Sequence, residues 1–303
     1  MPYASPAAFR TALEARLQNQ ARDRGMRPDR LRRRAVFERL LVRLEVARPG
    51  LWVLKGGTAL EVRWQDRARA TRDLDLALRE QLADGEALRA LLIEQLASDP
   101  DGDGFRFEVA APVPLADDAA GRPGWRLPVR AILAGREFAA IRVDVVIRPQ
   151  ELVLTERLPL PGALSFAGFP TRDVEVAAPA QHFAEKLHAL TRRWPDRENT
   201  RVRDLVDLVL LIEDGRLNPG ETRRVAAHVF ATRELHAMPR EILDPPASWI
   251  TTYTALASDL DMEATTIADA MASLRHFWSA ANASAHQENR HAKDEGRPNG
   301  PNR

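Results

Sequence analysis

One stretch, Leu51 to Leu78 (LWVLKGGTALEVRWQDRARATRDLDLAL), limits what this chain can fold into more than any other. It opens with the apolar run Leu51, Trp52, Val53, Leu54, which reads as a buried strand. Gly56-Gly57 breaks the run, Thr58 leads into a helix-like segment, and the chain returns as Asp73-Leu74-Asp75-Leu76-Ala77-Leu78. Alternation there puts Asp73, Asp75 and Ala77 on one face of a strand and Leu74, Leu76 and Leu78 on the other. Two carboxylates then point the same way, roughly 7 Å apart along the strand by its rise per residue. Like charges so placed repel, and a hard divalent cation such as Mg²⁺ relieves that repulsion with the oxygen donors it prefers. The Gly-Gly-Thr turn adds what a phosphate needs: glycines that let backbone N–H groups approach, a helix start that favours negative charge, and a hydroxyl on Thr58.

Each part taken singly has a plain structural explanation. A Gly-Gly turn between strand and helix is ordinarily a turn, and an isolated DLDL is an edge strand with solvated acids. A third acid sharpens the pattern. In Glu137 to Ile147 (EFAAIRVDVVI), Ile141, Val143, Val145 and Ile147 share one face, while Arg142, Asp144 and Val146 share the other. An acid inside so apolar a strand needs a partner. An arginine is one candidate and a metal shared with Asp73 and Asp75 is the other.

With 303 residues and 45% hydrophobic content, the chain is long enough for two domains or for one core with a helical extension. No apolar run approaches the ~20 residues that span a bilayer, and the first residues lack the apolar centre of a signal peptide, so a cytoplasmic protein without membrane contact is expected. Cysteine is absent, which excludes disulfides, thiol chemistry and Cys-ligated zinc. The histidines are scattered without ligand spacing, which argues against a zinc site. Among 44 basic residues only Lys55, Lys186 and Lys293 are lysine, so a lysine here marks a need for a compact point charge. Lys55 precedes the Gly-Gly turn, and Lys293 lies in a polar tail.

Residues 5–24 and 29–47 read as two helices, the second with the stripe Val36, Phe37, Leu40, Leu41, Leu44. Between Arg22 and Arg34 lie seven arginines and two aspartates, either a solvated face or a phosphate-contacting patch. An amphipathic helix is expected over 81–98, then the loop DPDGDG, which lacks the terminal glutamate of a calcium loop. Strands follow near 105–111, 126–133 and 137–147, the last two forming a hairpin about Gly135. Residues 150–172 read as a linker or flap, and Asp173–Val176 as a short strand. From Pro179 the pattern turns helical, and 283–303 is polar and expected to be disordered. The expected organisation is N-terminal helices over 1–48, a core over 49–178, a helical domain over 179–282 and the tail.

The helical half has its own cluster. Lys186 lies in Glu185-Lys186-Leu187-His188, and Asp204 and Asp207, at i and i+3, share a helix face while Leu205, Val209 and Ile212 pack inward. Lys186 could be solvated, and Asp207 could pair with Arg203. Between them, Arg192, Arg193 and Arg197 surround Trp194 in a basic loop able to stack and clamp an RNA end, or simply to line the surface.

The order strand, GGT, helix, Arg-rich loop and DxD strand resembles the nucleotidyltransferase core of the polymerase-β type. More closely, KGGTALEVRW…RATRDLDLAL and EKLHAL…TRVRDLVDL resemble the AbiEii toxin family of nucleotidyltransferases, over roughly residues 50–215. The resemblance implies an α+β fold: a polymerase-β-like nucleotidyltransferase core on a mixed sheet, with a C-terminal helical bundle. It implies catalytic and metal roles for Asp73, Asp75 and Asp144 around two Mg²⁺ ions, with Asp144 activating the attacking hydroxyl. It also implies nucleotide binding by Lys55, Gly56, Gly57, Thr58 and Lys186, with Asp204 or Asp207 at the active cleft. RNA contacts then fall to Arg192, Arg193, Trp194 and Arg197. The implied protein is a toxin of a toxin–antitoxin or phage-defence pair. It uses an NTP to modify RNA, foremost the 3′ end of tRNA, and a separately encoded antitoxin neutralises it. Two other readings remain: transfer to a protein or small molecule, and a non-catalytic NTP- or RNA-binding module on the same scaffold. The interval from Thr58 to Asp73 is longer than in the general polymerase-β pattern, which alters a loop and removes no ligand.

Overall fold

The alternating segments assemble into one mixed sheet. The computed structural model describes residues 3–115, 124–147 and 149–295, with side chains through residue 284. The chain divides after Ala177 into two compact units. The first contains α1 (Pro6–Asp23), α2 (Pro28–Ala47), β1 (Trp52–Lys55), α3 (Gly56–Trp64), β2 (Asp73–Leu78) and α4 (Gly85–Leu96). It continues through β3 (Arg106–Val109), β4 (Val113–Pro114), β5 (Gly124–Leu133), β6 (Arg136–Ile147), β7 (Thr155–Pro159) and β8 (Asp173–Ala177). The sheet has the order β3-β5-β6-β2-β1-β8-β7, with β4 paired to β5. β2 runs parallel to β6 and antiparallel to β1, so the DxD strand is central and flanked by both neighbours of the site.

The two faces of β2 separate as alternation requires. Leu74, Leu76 and Leu78 join Val143, Val145 and the buried faces of α1, α2 and α4 in the main core. Ala77 joins the smaller opposite cluster of Val53, Leu152 and Ala177. The N-terminal helices are thus part of this unit's core and do not form a separate layer. The segment 150–172, expected as a linker or flap, supplies β7 along β8 and buries Leu160, Leu164 and Phe169 in that core.

α2 departs furthest from its pattern. Its apolar stripe predicts one buried face, yet Ala35 to Leu44 is buried all round, Arg39 and Arg43 included. Both arginines pair with aspartates of the DPDGDG loop. Arg43 donates to Asp103 Oδ1 at 2.7 Å and to the Phe105 carbonyl at 2.9 Å, Arg39 donates to Asp103 at 2.6 Å and also to Asp101, and Arg172 donates to Asp101 at 2.5 Å. The aspartates that superficially suggest a calcium loop are the counter-ions of buried arginines. Burial works to raise the Asp103 carboxyl, but the Arg43 hydrogen bonds and the Arg43 and Arg39 charges outweigh it, so its pKa lies below the ordinary value of 3.8.

The Arg22–Arg34 run also turns inward. Arg30 and Arg34 converge on buried Glu61 at 2.8 and 3.2 Å, Arg34 and Arg24 reach Asp66 at 2.8 and 3.1 Å, and Arg32 pairs with Asp29 at 3.1 Å. Arg30 and Arg34 thus tie α2 to α3, while Arg34 and Arg24 hold Asp66 just beyond it.

The second unit is helical: α5 (Pro179–Thr191), α6 (Val202–Glu213), α7 (Pro219–Arg233), α8 (Ile250–Asp259) and α9 (Ile267–Glu295). Pro179 and Pro219 open their helices, and Asn218 caps α7 by accepting from the Glu221 N–H at 2.9 Å. Phe183 stacks near Trp278, with ring centroids 6.4 Å apart, at the centre of α5 and α9. The tail expected to be disordered from residue 283 is helical through Glu295, while 296–303 lie outside the described residues. No helix among the described residues is long and apolar enough to cross a membrane.

Two stability predictions follow from these ties. Replacing Asp103 by Ala removes the carboxylate that two buried guanidiniums share and is expected to cost about 3–5 kcal/mol in urea denaturation at neutral pH. Because the folded carboxyl is depressed, its contribution is present above its unfolded value and drains away as pH falls. The deficit of the variant should therefore shrink below about pH 4. In the β5–β6 hairpin, Ala134 and Gly135 both hold left-handed backbone, at φ +53° and +74°, as a type I′ turn demands. Ala134→Asn should raise stability by about 0.5–1 kcal/mol in the same measurement, since Asn tolerates that conformation better than Ala.

Candidate active site

The site is built by strand register. Lys55 on β1 pairs with Asp75 on β2, Asp75 pairs with Asp144 on β6, and Asp144 pairs with Arg126 on β5. Residues paired in register share a face, so these four side chains form a row across four strands. Asp73 stands on the same face, opposite Arg142 of β6. The three acids singled out from the sequence, Asp73, Asp75 and Asp144, are therefore neighbours on the face away from the main core.

β1 passes into α3 without a loop, and Gly56 makes this possible. Its φ of +60° is left-handed, and a Cβ built on it would lie 2.0 Å from the Asp75 Oδ2 atom. The Asp75 carboxylate thus lies against the backbone at the start of α3, in space that only glycine leaves open. A Cβ on Gly57 would meet Thr71 at 3.1 Å, so the second glycine also faces a close neighbour. Lys55, at the N-cap, gives α3 no side-chain cap, which leaves the first-turn N–H groups directed at this end of the sheet. Thr58 has a different use from the expected one. Its buried hydroxyl donates to the Asp73 carbonyl at 2.9 Å and ties α3 to β2, so only its backbone is available to a phosphate.

Two arginines that the sequence reading did not assign complete the electrostatics. Arg126 donates to both oxygens of Asp144 at 2.8 and 2.6 Å and lies 3.8 Å from Asp73, while Arg142 donates to Asp73 at 2.5 Å. Arg126 is pushed well above its ordinary pKa, first by its hydrogen bond to Asp144 and then, against partial burial, by the charges of Asp144, Asp73 and Asp75. Its guanidinium senses all three acids at once. The signal that could locate it is the hairpin register, but a bulge between Ala131 and Ile132 shifts that register by one. Without the bulge Arg126 would oppose Val143 and face the core.

The oxygen-only donor set fits a hard divalent ion. The geometry adds a condition: Asp73 and Asp144 are already neutralised by arginine, and a metal must take them from it. Among the described residues no group of three or more His, Asp or Glu side chains stands ready as a metal cage.

In the helical unit, Lys186 Nζ bonds Asp207 Oδ2 at 2.5 Å and Asp204 Oδ1 at 3.0 Å, joining α5 to α6. Asp207 is fully buried and pairs with this lysine. Asp204 is the more exposed of the two acids and also faces Arg201 at 3.6 Å. The guanidiniums of Arg192 and Arg197 lie 3.4 and 4.0 Å from the Trp194 ring centroid, so an incoming base stacks on that indole only by displacing one of them.

The profile of the AbiEii family, described as nucleotidyl transferase AbiEii toxin of type IV toxin–antitoxin systems, matches residues 39–284. Among solved structures, MenT4, a nucleotidyltransferase toxin from Mycobacterium tuberculosis H37Rv, is similar at 24% identity with a TM-score of 0.51, over 90% of this chain and 98% of that one. A nucleotidyltransferase candidate from H. pylori is similar at 14% identity with a TM-score of 0.41, over 83% of this chain and 96% of that one, a likeness too weak to bear on the fold. No curated protein sequence matches the chain.

Gly56→Ala tests the construction. The strained backbone alone should cost about 1–2 kcal/mol in urea denaturation. The displaced Asp75 carboxylate should also weaken Mn²⁺ binding in calorimetric titration. A variant with native stability and native Mn²⁺ affinity would contradict the close approach of Asp75 to α3.

Proposed function

The chain belongs to the AbiEii family of nucleotidyltransferase toxins of type IV toxin–antitoxin systems, and from that premise we propose that it transfers NMP from an Mg²⁺-bound NTP to RNA, foremost the 3′ end of tRNA. Family membership carries an NTP substrate and an antitoxin partner with it. The observation that supports the site assignment is the in-register row of Lys55, Asp75 and Asp144, with Asp73 beside it, at the start of α3.

Mg²⁺, when bound, would supply the positive charge that offsets the triphosphate and lowers the barrier to displacement. Asp73, Asp75 and Asp144 are the residues that would hold it, in a two-metal arrangement. Asp144, once released by Arg126, is also the group suited to accept the proton of the attacking hydroxyl. The released Arg126 and Arg142 remain as positive charge near the phosphates. First-turn N–H groups from Gly56 to Thr58 and the Lys55 ammonium favour the anionic end of the nucleotide. Lys186 is assigned to phosphate contact on its motif, with buried Asp207 positioning it and Asp204 as the accessible acid. Arg192, Arg193, Trp194 and Arg197 are assigned to RNA. Fixed dipoles and charges so arranged stabilise developing charge without reorganisation, which is the main source of rate in such transfers. Blocking the acceptor end of tRNA would halt translation, as a growth-arresting or phage-defence toxin requires.

Incubating the purified protein with total tRNA, Mg²⁺ and each labelled NTP in turn tests this directly. Label is expected on tRNA with one or two of the NTPs, and Asp75→Ala should reduce it by about 10²–10³-fold. Label on protein would redirect the acceptor assignment, and no transfer to any acceptor would sink the catalytic reading.

A further inference from the structure

The helical unit holds a cavity of about 730 Å³, the size of a ligand site. Arg192, Arg193 and Arg197 line it, from the loop that follows α5, together with Trp194 and Trp249. A second segment lines the same cavity and contributes Glu241 and Asp244, the latter bonded to Arg275 at 2.6 Å.

The basic loop is held in a defined shape. Asn199 Nδ2 donates to the Leu190 and Arg192 carbonyls at 2.8 and 3.1 Å, and its Oδ1 accepts from the Arg201 N–H at 2.9 Å. The buried Trp249 indole N–H donates to the Asn199 carbonyl at 2.8 Å, which fixes the loop to the cavity floor. Among the described residues no carboxylate pairs with Arg192, Arg193 or Arg197, unlike Arg30, Arg34, Arg39 and Arg43 of the first unit. The consequence is visible in the neighbours. Arg192 is lowered by burial and by repulsion from Arg197 and Arg201, and His236 by burial and by Arg192 and Arg233. His236 Nδ1 is buried beside this field without a hydrogen-bond partner among the described residues. Concentrated positive charge beside aromatic surface and a carboxylate suits a ligand with an anionic end and a donor-bearing planar end.

We propose that this cavity is a nucleotide-binding subsite of the helical unit, with phosphate on Arg192, Arg193 and Arg197 and the amino edge of the base on Glu241. The inference deepens the RNA reading of the Trp194 loop and rests on it: the nucleotide is the terminal residue of an acceptor RNA. A free nucleotide offers the same chemistry, and the test separates the two.

The full chain, in EDTA to silence metal-dependent binding, is titrated against a fluorescently labelled short single-stranded RNA, with ATP and unlabelled RNA as competitors. Arg193→Glu changes an exposed side chain without an ion pair among the described residues, so it tests the wall without disturbing the fold. It should weaken RNA binding by about tenfold or more at an unchanged melting temperature, as should Arg192→Ala combined with Arg197→Ala. Glu241→Gln should alter the preference among bases. The same charge reversal at exposed Arg224, outside the cavity, should have a much smaller effect. Displacement by unlabelled RNA but not by ATP assigns the cavity to an RNA end, and equal displacement by ATP assigns it to a free nucleotide. Native affinity in Arg193→Glu, or an equal loss in Arg224→Glu, overturns the proposal. If these variants behave as expected while no NTP transfer is found, the transfer reading fails and the subsite stands. If transfer is found and Arg193→Glu binds RNA normally, the subsite alone fails.

Discussion

The rest of this structure depends on one close approach: the Asp75 carboxylate lying against the α-carbon of Gly56. It fixes the junction of β1 and α3, and therefore the position of the α3 N-terminus relative to the DxD strand. It also fixes register, since Lys55 must stand opposite Asp75 for the junction to close. Parallel pairing of β2 with β6 then brings Asp144 alongside, and the bulge in β6 opposite the Ala131–Ile132 step of β5 brings Arg126. A one-residue slip at any of these pairings would turn a charged side chain into the apolar core.

The acids are held by arginine in a way that differs between the two halves of the first unit. In the interior, Asp101 and Asp103 are locked onto Arg39 and Arg43 and serve the fold. At the site, Asp73 and Asp144 meet arginines that are more than a third exposed. Exposed pairs are weak and exchangeable, buried ones are not. The same residue types are thus structural in one place and available in another, and exposure separates the two.

Much of this was legible in the sequence. The DxD alternation, the Gly-Gly break, the Asp144 strand, the hairpin about Gly135 and the shift to helix near Pro179 all follow from local pattern. They are local because alternation, turn chemistry and helix starts are properties of a few adjacent residues. The remainder depended on distant partners. The burial of Ala35 to Leu44 on every side of α2 required Asp101 and Asp103 some sixty residues on. Arg30 and Arg34, in the first turns of α2, became ties because Glu61 and Asp66 lie beside them. Arg126 was hidden by a bulge that sequence does not announce, and the Thr58 hydroxyl by a carbonyl on another element. The arginines around Trp194 were visible, but the cavity they line needed Glu241 and Trp249 from elsewhere in the chain.

The most direct test of the account is a crystal structure with Mn²⁺ and a non-hydrolysable NTP, with anomalous diffraction used to place the metal. The account predicts anomalous density bonded to Asp75 and at least one of Asp73 and Asp144, with Arg126 or Arg142 moved off its aspartate and the phosphates at the start of α3. Metal and triphosphate bound elsewhere, with Arg126 still on Asp144, would contradict it.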